Sequence, residues 1–164
     1  MQEQETKVTI VRPRTGLTRR LLNSLITFKA TAADTNGLYS LFEIMIPPGE
    51  GMLPHVQQYD DEAFWVLEGT YRFLFGQQEV DLGVGGYAFV PRGTVHGFIN
   101  SGGSSSRMLS LVTPGGIHER FFAEAGSDVD ESRTLPSKPD AAGWPRIIKI
   151  AQKYGIEMLL PSST

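Results

Sequence analysis

The sequence lacks several features that would each have indicated a class of protein. It contains no cysteine, which excludes disulfide bonds, thiolate metal ligands and cysteine nucleophiles. No apolar run approaches the roughly 20 residues of a membrane-spanning helix, and the N-terminal stretch MQEQETKVTI has no apolar core typical of a secretion signal. We therefore expect a soluble, cytoplasmic protein without a membrane partner, in which histidine, carboxylate or amide groups would bind any metal.

Charge of one sign is also scarce. The formal net charge is −3, and no long run carries charges of a single sign. Basic residues concentrate only at Arg12, Arg14, Arg19 and Arg20, which we interpret as a solvated N-terminal segment rather than a binding patch. A nucleic-acid partner is therefore not expected.

The composition favours an all-β protein. The 164 residues suit one domain with a proper core, and 18 glycines with 10 prolines imply many turns. Short apolar runs between turn residues predict strands at 39–46, 63–67, 71–75, 79–82, 87–90, 97–100 and 107–113. Two more apolar runs, at 8–11 and 21–28, predict peripheral strands.

The C-terminal part differs from this pattern. Residues 117–125 predict a short helix, and 144–154 show apolar residues at helical spacing, with a proline in the first turn and a glycine just past the end. Residues 156–160 predict an edge strand. The prediction is one domain, 1–164, with N-terminal strands in 1–38, a β-barrel core at about 39–113 and one or two helices in an extension, 114–164.

Edge strands of a short barrel need to be covered, because their unpaired backbone groups can pair with another chain. We therefore expect a homodimer. The N-terminal strands or the segment 156–160 would pair across the subunits.

Two stretches carry the candidate functional residues. The first, GEGMLPHVQQYDDEAFWVLEG at 49–69, contains His55, Gln57 and Glu62, and the second, GGYAFVPRGTVHGFIN at 85–100, contains His96. Both have the pattern of strand, turn and strand. Strand alternation places Glu62 on one face with Phe64, and His96 on one face with Phe98. Two imidazoles and a carboxylate converging inside a barrel would suit a divalent metal.

These two stretches resemble the paired signature motifs of the cupin superfamily. The resemblance covers 39–113, and the phrases DEAFWVLEGTYRF, FVPRGTVHGFIN and LVTPGGIHERFF are similar to small single-domain cupins of the quercetin 2,3-dioxygenase-like type. The resemblance implies a double-stranded β-helix, or jelly-roll, barrel. It also implies a divalent transition metal (Fe, Mn, Ni, Cu or Zn) bound by three histidines and a glutamate.

Three of the four ligand positions match, at His55, Glu62 and His96. At the fourth, Gln57 replaces the histidine usual in the family. An amide oxygen is a neutral and weaker donor than imidazole. Gln57 could be a fourth metal ligand, a group that holds a water beside the metal, or a sign that the metal site has been lost.

For other residues around these motifs the sequence predicts less specific roles. Phe64 and Phe98 are expected to contact a bound substrate. Tyr59, in the loop between the ligands, would shape the pocket entrance or act as an ordinary turn residue. His118 is expected at a helix start near the barrel mouth, with a role at the surface or in capping rather than as a ligand.

The resemblance makes a metal-dependent dioxygenase the leading hypothesis, with a small enolic or flavonol-like compound as substrate. Glu62 would be its catalytic residue, alternating between metal ligand and proton acceptor. A non-enzymatic small-molecule-binding protein with a weakened metal site is an alternative. A metal-dependent isomerase or lyase is another, because the fold does not determine the chemistry.

The substitution Gln57→His tests the hypothesis that Gln57 is a fourth metal ligand. If this residue binds the metal directly, imidazole in its place should raise the metal affinity, because imidazole is the stronger donor. Competition with a chelator would measure the change. An unchanged affinity would contradict the placement of Gln57 among the ligands.

Overall fold

The computed structural model describes residues 8–136 and 141–160, so residues 1–7, where the predicted N-terminal segment begins, lie outside it. The strands are β1 (Thr18–Leu21), β2 (Ser24–Ala30), β3 (Ser40–Ile46), β4 (Gly51–Gln57), β5 (Asp61–Glu68), β6 (Tyr71–Phe75), β7 (Gln78–Leu82), β8 (Tyr87–Val90), β9 (His96–Asn100), β10 (Ser106–Thr113), β11 (Ser127–Asp128) and β12 (Ile156–Met158). The α-helices are α1 (Ala32–Thr35), α2 (Ile117–Ala125) and α3 (Trp144–Lys153).

The strands form two antiparallel sheets. The larger sheet has the order β11-β1-β2-β3-β10-β5-β8, and the smaller sheet has the order β12-β4-β9-β6-β7. Strands that are consecutive in the chain often lie in different sheets: β3 and β5 flank β10 in the larger sheet, whereas β4, between them in sequence, pairs with β9 in the smaller one. This alternation confirms the predicted all-β jelly-roll barrel with C-terminal helices.

The space between the sheets is filled by large apolar side chains. In β5 and β10, alternate residues are buried, as expected for strands with one face on a core. Phe64 of the larger sheet meets Phe73 and Phe98 of the smaller sheet, with ring centroids 5.3 and 5.4 Å apart. These contacts hold the two sheets together behind the candidate site.

Helix α2 covers the inner face of the larger sheet near β2 and β3. Phe122 packs edge to face on Phe42, with ring centroids 4.9 Å apart, and also contacts Phe28. This packing carries His118, in the first turn of α2, into the interior. Helix α3 lies against α2 and β12 and buries Ile147 and Ala151.

The predicted strands of the barrel core and both C-terminal helices agree with the structure to within one or two residues. The N-terminal predictions were wrong in two places. Residues 8–11 form no strand, and 21–28 is not one strand but the end of β1, a tight turn and most of β2. Leu22 in that turn has φ of 53°, a conformation that an apolar run does not signal.

Within the described residues, no helix is long and apolar enough to cross a membrane.

Gly51 begins β4 at a point where the backbone of β9 comes very close. A Cβ atom at this position would lie 1.9 Å from the Phe98 carbonyl oxygen. We expect Gly51→Ala to lower the free energy of unfolding by about 2 kcal/mol, because backbone must move to relieve the overlap. Urea denaturation measures the change.

Gly83→Ala is the matched control. A Cβ at Gly83 meets no atom within 4 Å in the described part of the chain, and its φ lies outside the left-handed range. A stability of Gly51→Ala equal to that of Gly83→Ala would contradict the close approach of β4 and β9.

Candidate metal centre

His55, Glu62 and His96 meet inside the barrel. One potential ligand atom from each of the three side chains lies within 4.8 Å of the others, and all three side chains are buried. His55 and His96 are paired across β4 and β9 of the smaller sheet, with ring centroids 4.2 Å apart. Glu62 approaches them from β5 of the larger sheet. The register of the strands thus assembles a group of residues that are far apart in sequence.

Both histidines are oriented in the same way. Nδ1 of His55 lies 2.8 Å from the Leu53 carbonyl oxygen, and Nδ1 of His96 lies 3.0 Å from the Thr94 carbonyl oxygen. In neutral imidazole the Nδ1–H group donates to that carbonyl, which leaves the Nε2 lone pair for another partner. Metal-binding histidines are commonly held by a hydrogen bond of this kind.

His55 is kept neutral. Burial, and next the charge of the neighbouring His96, lower its pKa from 6.5 to about 3. Few protons therefore compete for its Nε2 lone pair near neutral pH.

Glu62 is an ionised carboxylate at the centre of a hydrogen-bond network. Ser110 Oγ donates to its Oε1 over 2.5 Å, Gln57 Nε2 donates to its Oε2 over 2.6 Å, and His96 Nε2 lies 3.2 Å from the same Oε2. Burial alone would raise the pKa of Glu62, but the hydrogen bond from His96 and the nearby histidine charges outweigh it and lower the pKa to about 2.

The contact between His96 and Glu62 indicates a cation site. If the His96 proton resides on Nδ1, then the Nε2 lone pair faces a carboxylate oxygen at 3.2 Å, and the two repel each other. A shared cation, either a proton or a metal ion, removes this repulsion. Two imidazole nitrogens and a carboxylate are also the donor set of non-haem Fe(II) sites that keep positions open for other ligands. The residues therefore fit a divalent transition metal.

Gln57 presents its amide nitrogen to the site. The amide donates one hydrogen to Glu62, and its Nε2 lies 3.0 Å from Nε2 of His118. The amide oxygen, Oε1, is buried and has no hydrogen-bond partner among the described residues. An amide nitrogen is not a metal donor. In this orientation Gln57 supports Glu62, and binding a metal through Oε1 would require the amide to turn.

His118 lies in the interior, so the expectation of a surface position was wrong. It is 5% exposed, and its Nδ1 lies 2.7 Å from Oδ2 of the buried Asp60. Burial lowers the pKa of His118, but the hydrogen bond and charge of Asp60 outweigh this and raise it overall. With its proton on Nδ1, His118 accepts a hydrogen bond from Gln57 at Nε2. Asp60, His118, Gln57 and Glu62 thus form a continuous chain.

The predicted substrate-contacting residues lie in different surroundings. Phe98 lines the cavity beside the site. Phe64 packs on His96, with ring centroids 6.1 Å apart, and is fully buried. Tyr59 is 56% exposed, and its ring covers Gly155, where a Cβ would lie 2.3 Å from the tyrosine Cε2.

Sequence reasoning missed two partners of the site. Ser110 is one of two serines among the inward positions of β10 and lies between Met108 and Val112, and strand alternation could have placed it beside β5. The Asp60–His118 pair had no such signal, because the two residues are 58 positions apart and meet only through the packing of α2.

The cavity at the site is small. Its volume is about 40 Å³, and its polar lining comes from Ser24, His55, Glu62 and His118. The remaining lining is apolar and includes Met52, Phe98, Phe121 and Phe122. This volume holds a metal ion with a few waters, whereas pockets for drug-sized ligands measure roughly 300–1,000 Å³.

Comparison with known proteins identifies relatives of this barrel. Residues 42–112 match the family described as "Cupin domain". Quercetin 2,3-dioxygenase of Bacillus subtilis (strain 168) is 27% identical over 132 residues, which cover 80% of this chain but only 38% of that enzyme. The match therefore spans well under half of the relative's length.

Solved structures show the same fold. A predicted oxalate decarboxylase from Thermotoga maritima superposes with a TM-score of 0.60 at 19% identity, covering 64% of this chain and 98% of that one. The polyketide cyclase RemF from Streptomyces resistomycificus superposes with a TM-score of 0.58 at 21% identity, covering 65% and 80%.

The lowered pKa of His55 predicts acid sensitivity of the metal-free protein. Between pH 6.5 and about 3 the unfolded chain binds a proton at His55 that the folded protein excludes, so stability falls as pH falls. From pH 6.5 to 5 this effect amounts to about 1.5 kcal/mol. We expect His55→Gln to remove this part of the pH dependence, measured by urea denaturation in the presence of a chelator.

His118→Gln is the control of opposite sign. Because the folded pKa of His118 is raised, its contribution to stability is present below pH 6.5 and is lost as pH rises through the folded value. The loss of stability on acidification should therefore be steeper in the His118→Gln variant than in the parent protein. The same pH dependence in all three proteins would contradict the protonation states described above.

Proposed function

We propose that the protein is a metal-dependent oxygenase of the cupin type. Residues 42–112 match the family described as "Cupin domain", and the buried His55, Glu62 and His96 converge inside the barrel. The substrate would be a small enolic compound. The observation that carries the proposal is the orientation of the two histidines. Both place Nδ1 within hydrogen-bond distance of a backbone carbonyl oxygen, an orientation that leaves Nε2 available, and Nε2 of His96 lies 3.2 Å from the Glu62 carboxylate.

The three side chains would hold a divalent transition metal, which supplies Lewis acidity and, if it is redox-active, access to dioxygen chemistry. His55 and His96 would bind through Nε2 and Glu62 through its carboxylate. Ser110 would fix the orientation of that carboxylate from the other side. The rigid barrel strands hold these groups in place, so little reorganisation accompanies the reaction.

Glu62 is better suited to be an anionic ligand than a proton acceptor in the resting site. Its pKa of about 2 lies far below the neutral range in which a general base works best. Accepting a proton from an enol hydroxyl at Oε2 would require Glu62 to give up the hydrogen bond from Gln57. Gln57 therefore influences when Glu62 can act as a base.

The size and lining of the cavity favour the smaller of the two predicted substrate types. A cavity of about 40 Å³ does not accommodate a flavonol unless α2, which contributes Phe121 and Phe122 to the wall, moves outwards. The largely apolar lining favours a substrate with few polar groups besides the enolic oxygens. The similarity to the Bacillus quercetin dioxygenase supports an oxygenase reaction more than it supports a flavonol substrate.

Two alternatives have specific support. Gln57 presents its nitrogen rather than its oxygen to the site, which leaves three ligands and favours a small-molecule-binding protein with weakened metal affinity. A metal-dependent isomerase or lyase is compatible with the same residues, because cupin-like barrels include proteins described as a cyclase and as a predicted decarboxylase.

The metal content of tag-free protein tests the proposal. We expect about one equivalent of Fe, Mn, Ni, Cu or Zn per chain by inductively coupled plasma mass spectrometry, and its loss in the double variant Glu62→Ala/His96→Ala. The loaded protein should then consume oxygen with a small enolic compound and more slowly with quercetin, because of the cavity size.

Glu68→Ala is the matched control, since Glu68 is the exposed last residue of the same strand β5. It should retain the metal. Absence of metal after supplementation with each ion would contradict the oxygenase proposal and favour a small-molecule-binding protein without a metal. Bound metal without oxygen uptake, but with turnover of an enolic substrate, would favour an isomerase or lyase.

A further inference from the structure

The cavity beside the candidate metal centre has a polar end and apolar walls. The ionisable residues of its lining, His55, Glu62 and His118, are buried and belong to one end. The walls come from both sheets and from α2, and they include the buried side chains of Ile26, Ile44, Ile46, Phe98, Phe122 and Met158. We call this cavity the apolar channel. A ligand in it meets ionisable groups at one end and hydrocarbon along the walls.

The other end of the apolar channel opens to solvent. Four lining residues are not buried, namely Leu22, Ser24, Gly51 and Met52. They belong to two segments, the turn between β1 and β2 and the start of β4. Nδ2 of Asn23, in that turn, donates a hydrogen bond to Oε2 of Glu50, just before β4, over 2.9 Å. The two segments therefore form the rim of one opening, from which the channel leads to the candidate metal centre.

The apolar channel is long for its volume. Gly51 at the opening and His55 at the deep end are separated by four residue steps of β4, which corresponds to roughly 13 Å. The volume of about 40 Å³ has room for about three groups of the size of a water molecule. Groups spread over this length stand in single file. An unbranched chain of carbon atoms fits such a space, whereas a ring or a branched group is wider.

The larger sheet gives the channel a similar direction. Ile46, near the opening, pairs with Ser106 of β10, and Glu62, at the deep end, pairs with Val112 of the same strand. Ser106 and Val112 are roughly 20 Å apart along β10. The channel therefore runs along the strands of both sheets, from the opening to the carboxylate.

We propose that the substrate has an enolic head group and an unbranched alkyl tail of about three to four carbon atoms inside the apolar channel. The head group would lie against His55, Glu62 and His118. The tail would extend towards Met52, and the end of a longer tail would leave through the opening. The head group rests on the proposed function, whereas the tail follows from the channel alone.

Binding of acetylacetone and its homologues to the Zn²⁺-loaded protein tests the tail, because Zn²⁺ has no redox chemistry that would consume the ligand. In the homologues, straight alkyl chains of increasing length replace one terminal methyl group. Each buried methylene should tighten binding about fourfold. Beyond about four carbon atoms the affinity should level off, as the chain emerges into water. Isothermal titration calorimetry gives the dissociation constants, and an affinity independent of chain length would overturn the proposal.

The shape of the tail provides a comparison that needs no variant. A straight butyl tail and a tert-butyl tail contain the same number of carbon atoms and differ in width. The straight isomer should bind about tenfold more tightly, because the branched one must push the walls apart. Equal affinities of the two isomers would contradict a single-file channel.

Met52→Trp tests the route of the tail by placing a larger side chain at the opening. Homologues with long tails should bind about tenfold more weakly to this variant, whereas the affinity for acetylacetone should be that of the parent protein. Leu53→Trp is the matched control. Leu53 projects from the opposite face of β4 and lines an outer groove with the exposed Ile99. Long tails that bind equally well to both variants would overturn the proposed route.

The metal-free protein separates this proposal from the proposed function. Because the tail contacts hydrocarbon, the gain per methylene should persist after chelation, at a lower overall affinity. A gain per methylene in a protein that binds no metal would support the channel and contradict the oxygenase. Bound metal with equal affinity for all homologues would contradict the tail alone. Failure of every homologue to bind to the Zn²⁺-loaded protein would overturn the proposed substrate class and leave the metal site standing.

Discussion

The buried negative charge of Glu62 is the constraint on which the arrangement of the site depends. A carboxylate removed from water without partners costs several kcal/mol, and here the partners come from both sheets. Gln57 and His96 approach from the smaller sheet and Ser110 from the larger one. The two sheets are therefore joined at this point by hydrogen bonds to a charged group. The same partners direct the histidine nitrogens and the carboxylate to one place.

The hydrogen bonds extend from this charge to helix α2. Nδ1 of His118 faces Asp60. When the proton of neutral His118 lies on Nδ1, its Nε2 accepts a hydrogen bond from the amide nitrogen of Gln57, and the same nitrogen donates to Glu62. The helix is held in turn by Phe122 packed on Phe42. Gln57 is thus part of an ordered network. Its orientation depends on a helix outside the barrel motifs.

Successive side chains of strand β5 alternate between the interior of the barrel and the outer face of the larger sheet. Its inward residues include Glu62 and Phe64, which belong to the site and the core, and its outward residues include Ala63 and Trp65, which lie on the outer face of the larger sheet beside Phe89 and Tyr87. A register slip of one residue would exchange these sets and place the carboxylate outside and the indole inside. The requirements of the site and of the outer face therefore reinforce the same register, in which Glu62 lies opposite Val112 of β10.

The amino-acid sequence by itself determined most strands of the barrel, the two C-terminal helices, and the faces that Glu62 shares with Phe64 and His96 with Phe98, because apolar periodicity and turn residues are local properties of the chain. It also indicated that His55 and Gln57 share a face. Only the tertiary structure decided that Leu21 and Ser24 belong to different strands, that His118 is buried against Asp60, and that Gln57 presents nitrogen rather than oxygen. These outcomes depend on contacts between residues distant in sequence, and on hydrogen-bond partners that must be in place before an amide or an imidazole has a preferred orientation.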